Sequence, residues 1–383
     1  MKISAVICEF SPFHFGHEYL ISKIKEQSDA VICVMSGTFT ERGELGIMSK
    51  YDRAEAAILG GADLVLELPF PFSACGAERF AMGGVDVINA LGCVDELAFG
   101  SERGDAAAIM TAARRVLSPE FSSALEAKMG QSRGTSFGDV YFGTYRSLYG
   151  DDGLFLGSND ILAVAYARRL IELGADIDMR AIVRRGQKFD GSGDGFLSAS
   201  EIRRRQLSGG DTSGDLPKYS YDILKREADR GAIFSTELLF APLAAIYRTG
   251  GGHAAAYEMN DEIYNRITSA FACATSLFGA VELAATKQFS PSKIRRAMMF
   301  GALGVMEDDV KRVEYTTLLA ANSRGRDILS SIRKSAKIDI VTKPASYGGH
   351  AYNISCRADA LAMLAAERAL PSGENMKRSP III

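Results

Sequence analysis

Ten residues near the start of the chain, Cys8-Glu9-Phe10-Ser11-Pro12-Phe13-His14-Phe15-Gly16-His17, follow the apolar run Ile3-Ser4-Ala5-Val6-Ile7 and precede an amphipathic run from Glu18 to Glu26. An apolar run that short, ended by a Ser-Pro turn and followed by helical periodicity, predicts a buried strand, a tight turn and a helix. Two histidines then stand at the mouth of a parallel sheet. Spaced three apart around a glycine, they share one face of the first helical turn, where free backbone N–H groups and the helix dipole favour a phosphate. That geometry suits the handling of ATP.

The same cadence continues. Ala30–Met35 is a second buried strand, and the polar loop Ser36-Gly37-Thr38-Phe39-Thr40-Glu41-Arg42-Gly43-Glu44 after it is a candidate second wall of the site. Helix Lys50–Gly60, strand Asp63–Leu68, a helix from about Ala77 to Leu91 and strand Glu96–Phe99 follow. Alternation of this kind predicts an α/β fold, a Rossmann-like doubly wound parallel sheet. Residues 105–133 read as a helical insertion or packing layer, and Ser158-Asn159 as the cap of a further helix. Ala181–Val183 is a short strand, followed by Arg184 and Arg185 and a flexible loop at 191–195. Ser198-Ala199-Ser200-Glu201-Ile202-Arg203 is a serine-capped turn into an arginine-bearing helix, which makes a second anion site. From about Lys218 the chain reads as helices with short connections. The expected division is a catalytic domain at 1–215 and a mainly helical domain at 216–383.

Six cysteines without a Cys-x-x-Cys pair, several inside apolar runs, suggest reduced thiols and a cytoplasmic setting. Neither a signal-peptide pattern nor an apolar stretch of roughly 20 residues is present, so no membrane association is expected. The net charge of −3 leaves no global footprint for nucleic acid, and RNA contacts would have to come from local clusters.

His-x-Gly-His is the signature of the nucleotidylyltransferase superfamily, and the chain as a whole resembles one family in it, the tRNA(Met) cytidine acetate ligases. The resemblance is collinear through Glu9–His14, Ser36-Gly37, Glu41-Arg42-Gly43-Glu44 (where the family has Gln-Arg-Gly-Glu), Lys50 and Arg53, 61–69, Phe99–Glu102, Ser198–Arg203, Ser292–Arg296 and Ile338–Lys343. Phe15 stands where the family usually has Asn, Asp160 where a second Asn is common, and Phe189-Asp190 where it has Tyr-His-Asp.

The resemblance implies ATP-dependent activation of acetate to acetyl-adenylate and acetyl transfer to the wobble cytidine of elongator tRNA(Met), with Mg2+ carried mainly by the phosphates. It implies His14 and His17 as catalytic residues. The ATP-binding set would be Ile7, Cys8, Glu9, Phe10, Ser11, Pro12, Phe13, His14, Phe15, Gly16, His17, Glu18, Tyr19, Leu20, Gly100, Asn159, Arg184, Ser198, Ser200 and Arg203. Arg185 beside Arg184 leaves open which of the two faces the nucleotide. For tRNA the candidates are Lys50, Arg53, Arg204, Lys293, Arg295 and Arg296, and no metal-ligand set is expected. A small-molecule adenylyltransferase using the same site is the alternative, and an RNA-binding protein with a degenerate nucleotide site a third reading.

Overall fold

The structure, a computed structural model, describes residues 1–383 except 133, 152–154, 156, 186–194 and 334. The stretch 186–190 and all but the last residue of the expected loop 191–195 lie outside the described residues.

Five parallel strands form the centre: Ile3–Cys8 (β1), Ala30–Ser36 (β2), Leu64–Leu68 (β3), Glu96–Ser101 (β4) and Asp178–Val183 (β5). Helices cover both faces, which is why β2 is buried at every position and apolar from Ala30 to Met35 instead of alternating. The strand period of two divides it between two cores: Ala30, Ile32 and Val34 enter one, Val31, Cys33 and Met35 the other. The helices that matter for the site are Phe15–Lys25 (α1), Lys50–Leu59 (α2), Ala77–Leu91 (α3), Ala106–Val116 (α4), Pro119–Gln131 (α5), Phe137–Tyr149 (α6), Ser158–Leu173 (α7), Ala199–Leu207 (α8) and Lys218–Asp229 (α9). Among the described residues no helix is long and apolar enough to cross a membrane.

The strand order is β5-β4-β1-β2-β3, with Tyr315–Ala321 (β6) continuing the sheet antiparallel to β3. From β1 the chain runs to β2 and β3 on one side and then returns to β4 and β5 on the other. The order therefore reverses at β1, and in such sheets ligands bind outside the carboxyl ends of the strands at that point. Asp339–Val341 (β7) and Ile381–Ile382 (β8) both pair with β6 in parallel.

The expected boundary near residue 215 thus meets a sheet that takes strands from both sides of it. Tyr315–Ala321 reads Tyr-Thr-Thr-Leu-Leu-Ala-Ala, whose leucines and alanines suit a helix equally well, so an added antiparallel strand left no distinct signature.

Candidate active site

The turn between β1 and α1 is held by its own side chains. Phe10, at φ 47, is a non-glycine residue in the left-handed region, a conformation that costs on the order of 1–3 kcal/mol. Its ring packs at 5.1 Å from Phe13 and 4.8 Å from His17, and both phenylalanines are buried. His14 is the N-cap of α1. Its Nδ1 accepts the Gly16 N–H at 3.0 Å, and Nδ1 of His17 accepts the His14 N–H at 3.3 Å, a reciprocal capping box. Gly16 is required here because a Cβ would lie 2.8 Å from His14 Cε1.

With Nδ1 an acceptor in both rings, each neutral imidazole carries its proton on Nε2. The rings stack with centroids 3.8 Å apart. Burial, then Arg184 and Arg203, lowers His14 to about 3, and burial, then His14 and Arg184, takes His17 well below its usual value. The pair is therefore two uncharged Nε2–H donors in a field made positive by two arginines. Such a site binds phosphate oxygens without needing a proton first.

A cavity of about 530 Å³ opens at the carboxyl ends of β1, β4 and β5. Of the expected segment, Ile7, Cys8, Glu9, Phe10, His17, Tyr19 and Leu20 line it, as do Gly100, Asn159 and Arg184. A Cβ on Gly100 would lie 3.2 Å from Arg184 Cγ, so the missing side chain keeps this wall open. Arg184 faces the cavity, whereas Arg185 lies over the Tyr19 ring at 5.1 Å.

Other members of the segment hold the turn in place. Ser11 Oγ accepts the Ile47 N–H, the Phe13 carbonyl accepts from Ser220 of α9, and Glu18 accepts from Tyr219 at 3.0 Å. Pro12 follows a cis peptide bond, and the Phe15 ring packs 5.8 Å from Phe196.

The segment expected as a second anion site, whose Ser198, Ser200 and Arg203 are not among the residues that line the cavity, is folded onto the turn. Ser198 caps α8, and Arg203 donates to the Ser11 carbonyl at 2.7 Å, to Ser200 Oγ at 3.2 Å and to Glu44 at 3.1 Å.

The structure corrects the cap of α7. Its N-cap is Gly157, which has no side chain, and the Glu102 carboxylate beyond β4 accepts the Asn159 and Asp160 N–H groups instead. Glu102 also takes the Asn159 side-chain amide at 2.6 Å, which fixes that amide at the cavity wall.

Three of the six expected RNA residues, Lys50, Arg53 and Arg296, are interior groups. Lys50 pairs with Glu67 at 2.6 Å and Asp359 at 3.0 Å, and Arg53 is fully buried against three backbone carbonyls. Neither offers RNA a surface. Arg296 is buried against Glu258, and Arg295 bonds the Arg42 carbonyl and Glu44. Arg204 is exposed and pairs with Glu201, while Lys293 lies over the Phe289 ring.

Glu41 lines the cavity from the loop expected as its second wall, and Tyr166 and Ser292, which were not expected in the site, line it too. The polar loop after β2 was legible as a wall, but nothing in one sequence marks Tyr166, mid-helix in α7, as facing it. Among the described residues no group of three or more His, Cys, Asp or Glu could hold a metal ion.

A family model described as HIGH Nucleotidyl Transferase matches residues 1–376. The chain is 32% identical to the tRNA(Met) cytidine acetate ligase of Fervidobacterium nodosum, over 91% of this chain and 85% of that protein. With the protein of the same name from Acetivibrio thermocellus it shares 30% identity, over 91% of this chain and 89% of the relative. The crystal structure of Thermotoga maritima TmcAL bound with alpha-thio ATP superposes with a TM-score of 0.90 at 28% identity, covering 100% of this chain and 99% of that one.

Proposed function

The chain belongs to the HIGH nucleotidyl transferase family, and we propose that it activates acetate with ATP and transfers the acetyl group to the wobble cytidine of elongator tRNA(Met). The observation that carries the reading is likeness along the whole chain to proteins named tRNA(Met) cytidine acetate ligase, and the fold it shares with Thermotoga maritima TmcAL, crystallised with alpha-thio ATP, supports it.

In the first step an acetate oxygen attacks the α-phosphate and pyrophosphate leaves. Nε2–H of His14 and of His17 donates to phosphate oxygens as charge builds on them, and Arg184 and Arg203 add positive potential. The adenosine lies toward Gly100, Asn159 and Arg184. In the second step the cytidine 4-amino nitrogen attacks the acetyl carbonyl and AMP leaves, so no covalent enzyme intermediate is needed. Mg2+ belongs to this reading as the companion of the ATP phosphates, and a tRNA substrate carries a cytoplasmic location with it.

Purified protein is expected to catalyse ATP–pyrophosphate exchange that depends on acetate and then to acetylate cytidine in elongator tRNA(Met). Exchange without transfer to any tRNA would favour the small-molecule adenylyltransferase, and no exchange with any small acid would overturn the reading. Arg203→Ala is expected to lower exchange about tenfold to a hundredfold with little change in melting temperature. Unchanged exchange would confine Arg203 to holding Ser11 and Glu44 in place.

A further inference from the structure

The cavity extends to both sides of β1. Because β4 and β5 lie on one side of that strand and β2 on the other, Gly100 and Arg184 line one end, and Glu41 and Arg42 of the loop after β2 line the opposite end. Ser292, in the first turn of the helix Pro291–Leu303, lines it too, so this second end borders the helix that carries Lys293 and Arg295.

Hydrogen-bonding capacity is left open there. Glu9 Oε1 accepts the Glu41 N–H at 2.9 Å, but the Glu41 carboxylate and the Tyr166 hydroxyl make no hydrogen bond or ion pair among the described residues. Tyr166 is 5% exposed. Its side chain lines the cavity, and the charged groups that act on it are Glu9 and Glu41. Carboxyl oxygens of Glu9 and Glu41 at this end accept hydrogen bonds, so a group that donates them fits it better than acetate or phosphate.

We propose that Glu41 and Tyr166 read the acceptor base: the Glu41 side chain accepts from the cytosine 4-amino group, and the Tyr166 hydroxyl donates to the adjacent ring nitrogen N3. This rests on the acetyl-transfer reading and adds to it the residues that choose the base. Cytosine presents an amino donor beside an acceptor nitrogen. Uracil presents a carbonyl beside an N–H, which reverses both contacts. Glu41 and Tyr166 are specificity residues, with no part in making the adenylate.

The charges around Glu41 give the contact a pH dependence. Glu9 at the end of β1 and Glu258 face it with like charge, and Arg42 from its own loop and Arg296 from the helix Pro291–Leu303 with opposite charge. Burial, then Glu9, raises its carboxyl to about 7. Its ionised, stronger acceptor form therefore grows in as pH rises through 7, and transfer rises with it.

The test measures acetate-dependent ATP–pyrophosphate exchange and acetyl transfer to an elongator tRNA(Met) transcript on the same preparations, with melting temperatures as a check on folding. In Tyr166→Phe and Glu41→Leu, transfer kcat/KM for tRNA is expected to fall about tenfold or more relative to exchange. Glu41→Gln keeps a carbonyl acceptor and is expected to restore most of the transfer that Leu loses, without the rise across pH 7. Equal losses of exchange and transfer would assign these groups to ATP or acetate and overturn the proposal, as would no loss in either. If Glu41→Leu does not fold, Tyr166→Phe and the pH profile of Glu41→Gln decide it. Failure of the wild-type protein to exchange or transfer would count against the acetyl-transfer reading itself.

Discussion

His17→Ala is expected to keep its fold and to lose acetate-dependent ATP–pyrophosphate exchange by about a hundredfold or more, the usual effect of removing one donor from a site of developing charge. The fold survives because the ring bears little of the packing. It borders Phe10, Phe13 and His14 and accepts one backbone N–H at 3.3 Å, whereas Phe10 and Phe13 form the buried part of the turn. His14→Ala removes the N-cap of α1 as well and should add a stability loss of about 1 kcal/mol. A pH profile separates the neutral-donor account from an imidazolium one. Burial and the nearby arginines depress both histidines, so in the free enzyme the neutral forms persist well below pH 6.5. The profile of kcat/KM for ATP should then show no acid limb near 6.5. A limb with its midpoint between 6 and 7 that disappears in His17→Ala would overturn the neutral assignment, and wild-type exchange by folded His17→Ala would remove the residue from the mechanism.

The histidine turn was legible because its chemistry is local. Strand, turn, cap and glycine occupy 15 consecutive residues from Ile3 to His17, and each is set by near neighbours in sequence. The buried parallel strands were legible for a related reason, since helices on both faces make them continuous apolar runs. α3 was expected from about Ala77 to Leu91 and is found there, with Gly92 in the left-handed conformation ending it. β5 was read as Ala181–Val183 and runs from Asp178, because an edge strand half open to solvent tolerates Asp178 and Arg180. Tertiary contacts account for what stayed hidden. Glu102 caps α7 from 57 residues away, β6 joins β3 across some 250 residues, and Tyr166 lines the same cavity as Glu41 only once α7 lies against the sheet. Charge misled for the same reason, since a lysine or arginine on an amphipathic helix is by default a solvated group and only its partners reveal otherwise.

Arg53 is the clearest such case, and Arg53→Met should destabilise the protein by about 3–5 kcal/mol, since it strips a buried hydrogen-bonding hub of its donors. The guanidinium bonds the Met48 carbonyl at 3.2 Å, the Glu9 carbonyl at 2.5 Å and the Gly37 carbonyl, with no exposure to solvent. Burial pulls its pKa down to about 10, with Glu9 the largest opposing influence, so it stays charged at neutral pH. Those carbonyls belong to the end of β1, which leads into Glu9 and the histidine turn, to the end of β2, which leads into the loop bearing Glu41, and to the segment before α2. A methionine fills much of the volume but leaves all three carbonyls unpaired, and lysine, with one compact ammonium in place of a planar fork, cannot reach them together. Thermal melting should show a drop on the order of 5–10 °C for Arg53→Met and a smaller one for Arg53→Lys. An RNA-contacting arginine would behave in the opposite way, with melting unchanged and tRNA affinity lowered. Melting of Arg53→Met within a degree of wild type, together with weakened tRNA binding, would return the residue to the RNA surface. The structural account instead expects exchange and transfer to fall together, because both half-reactions use the loop ends that Arg53 ties to one another.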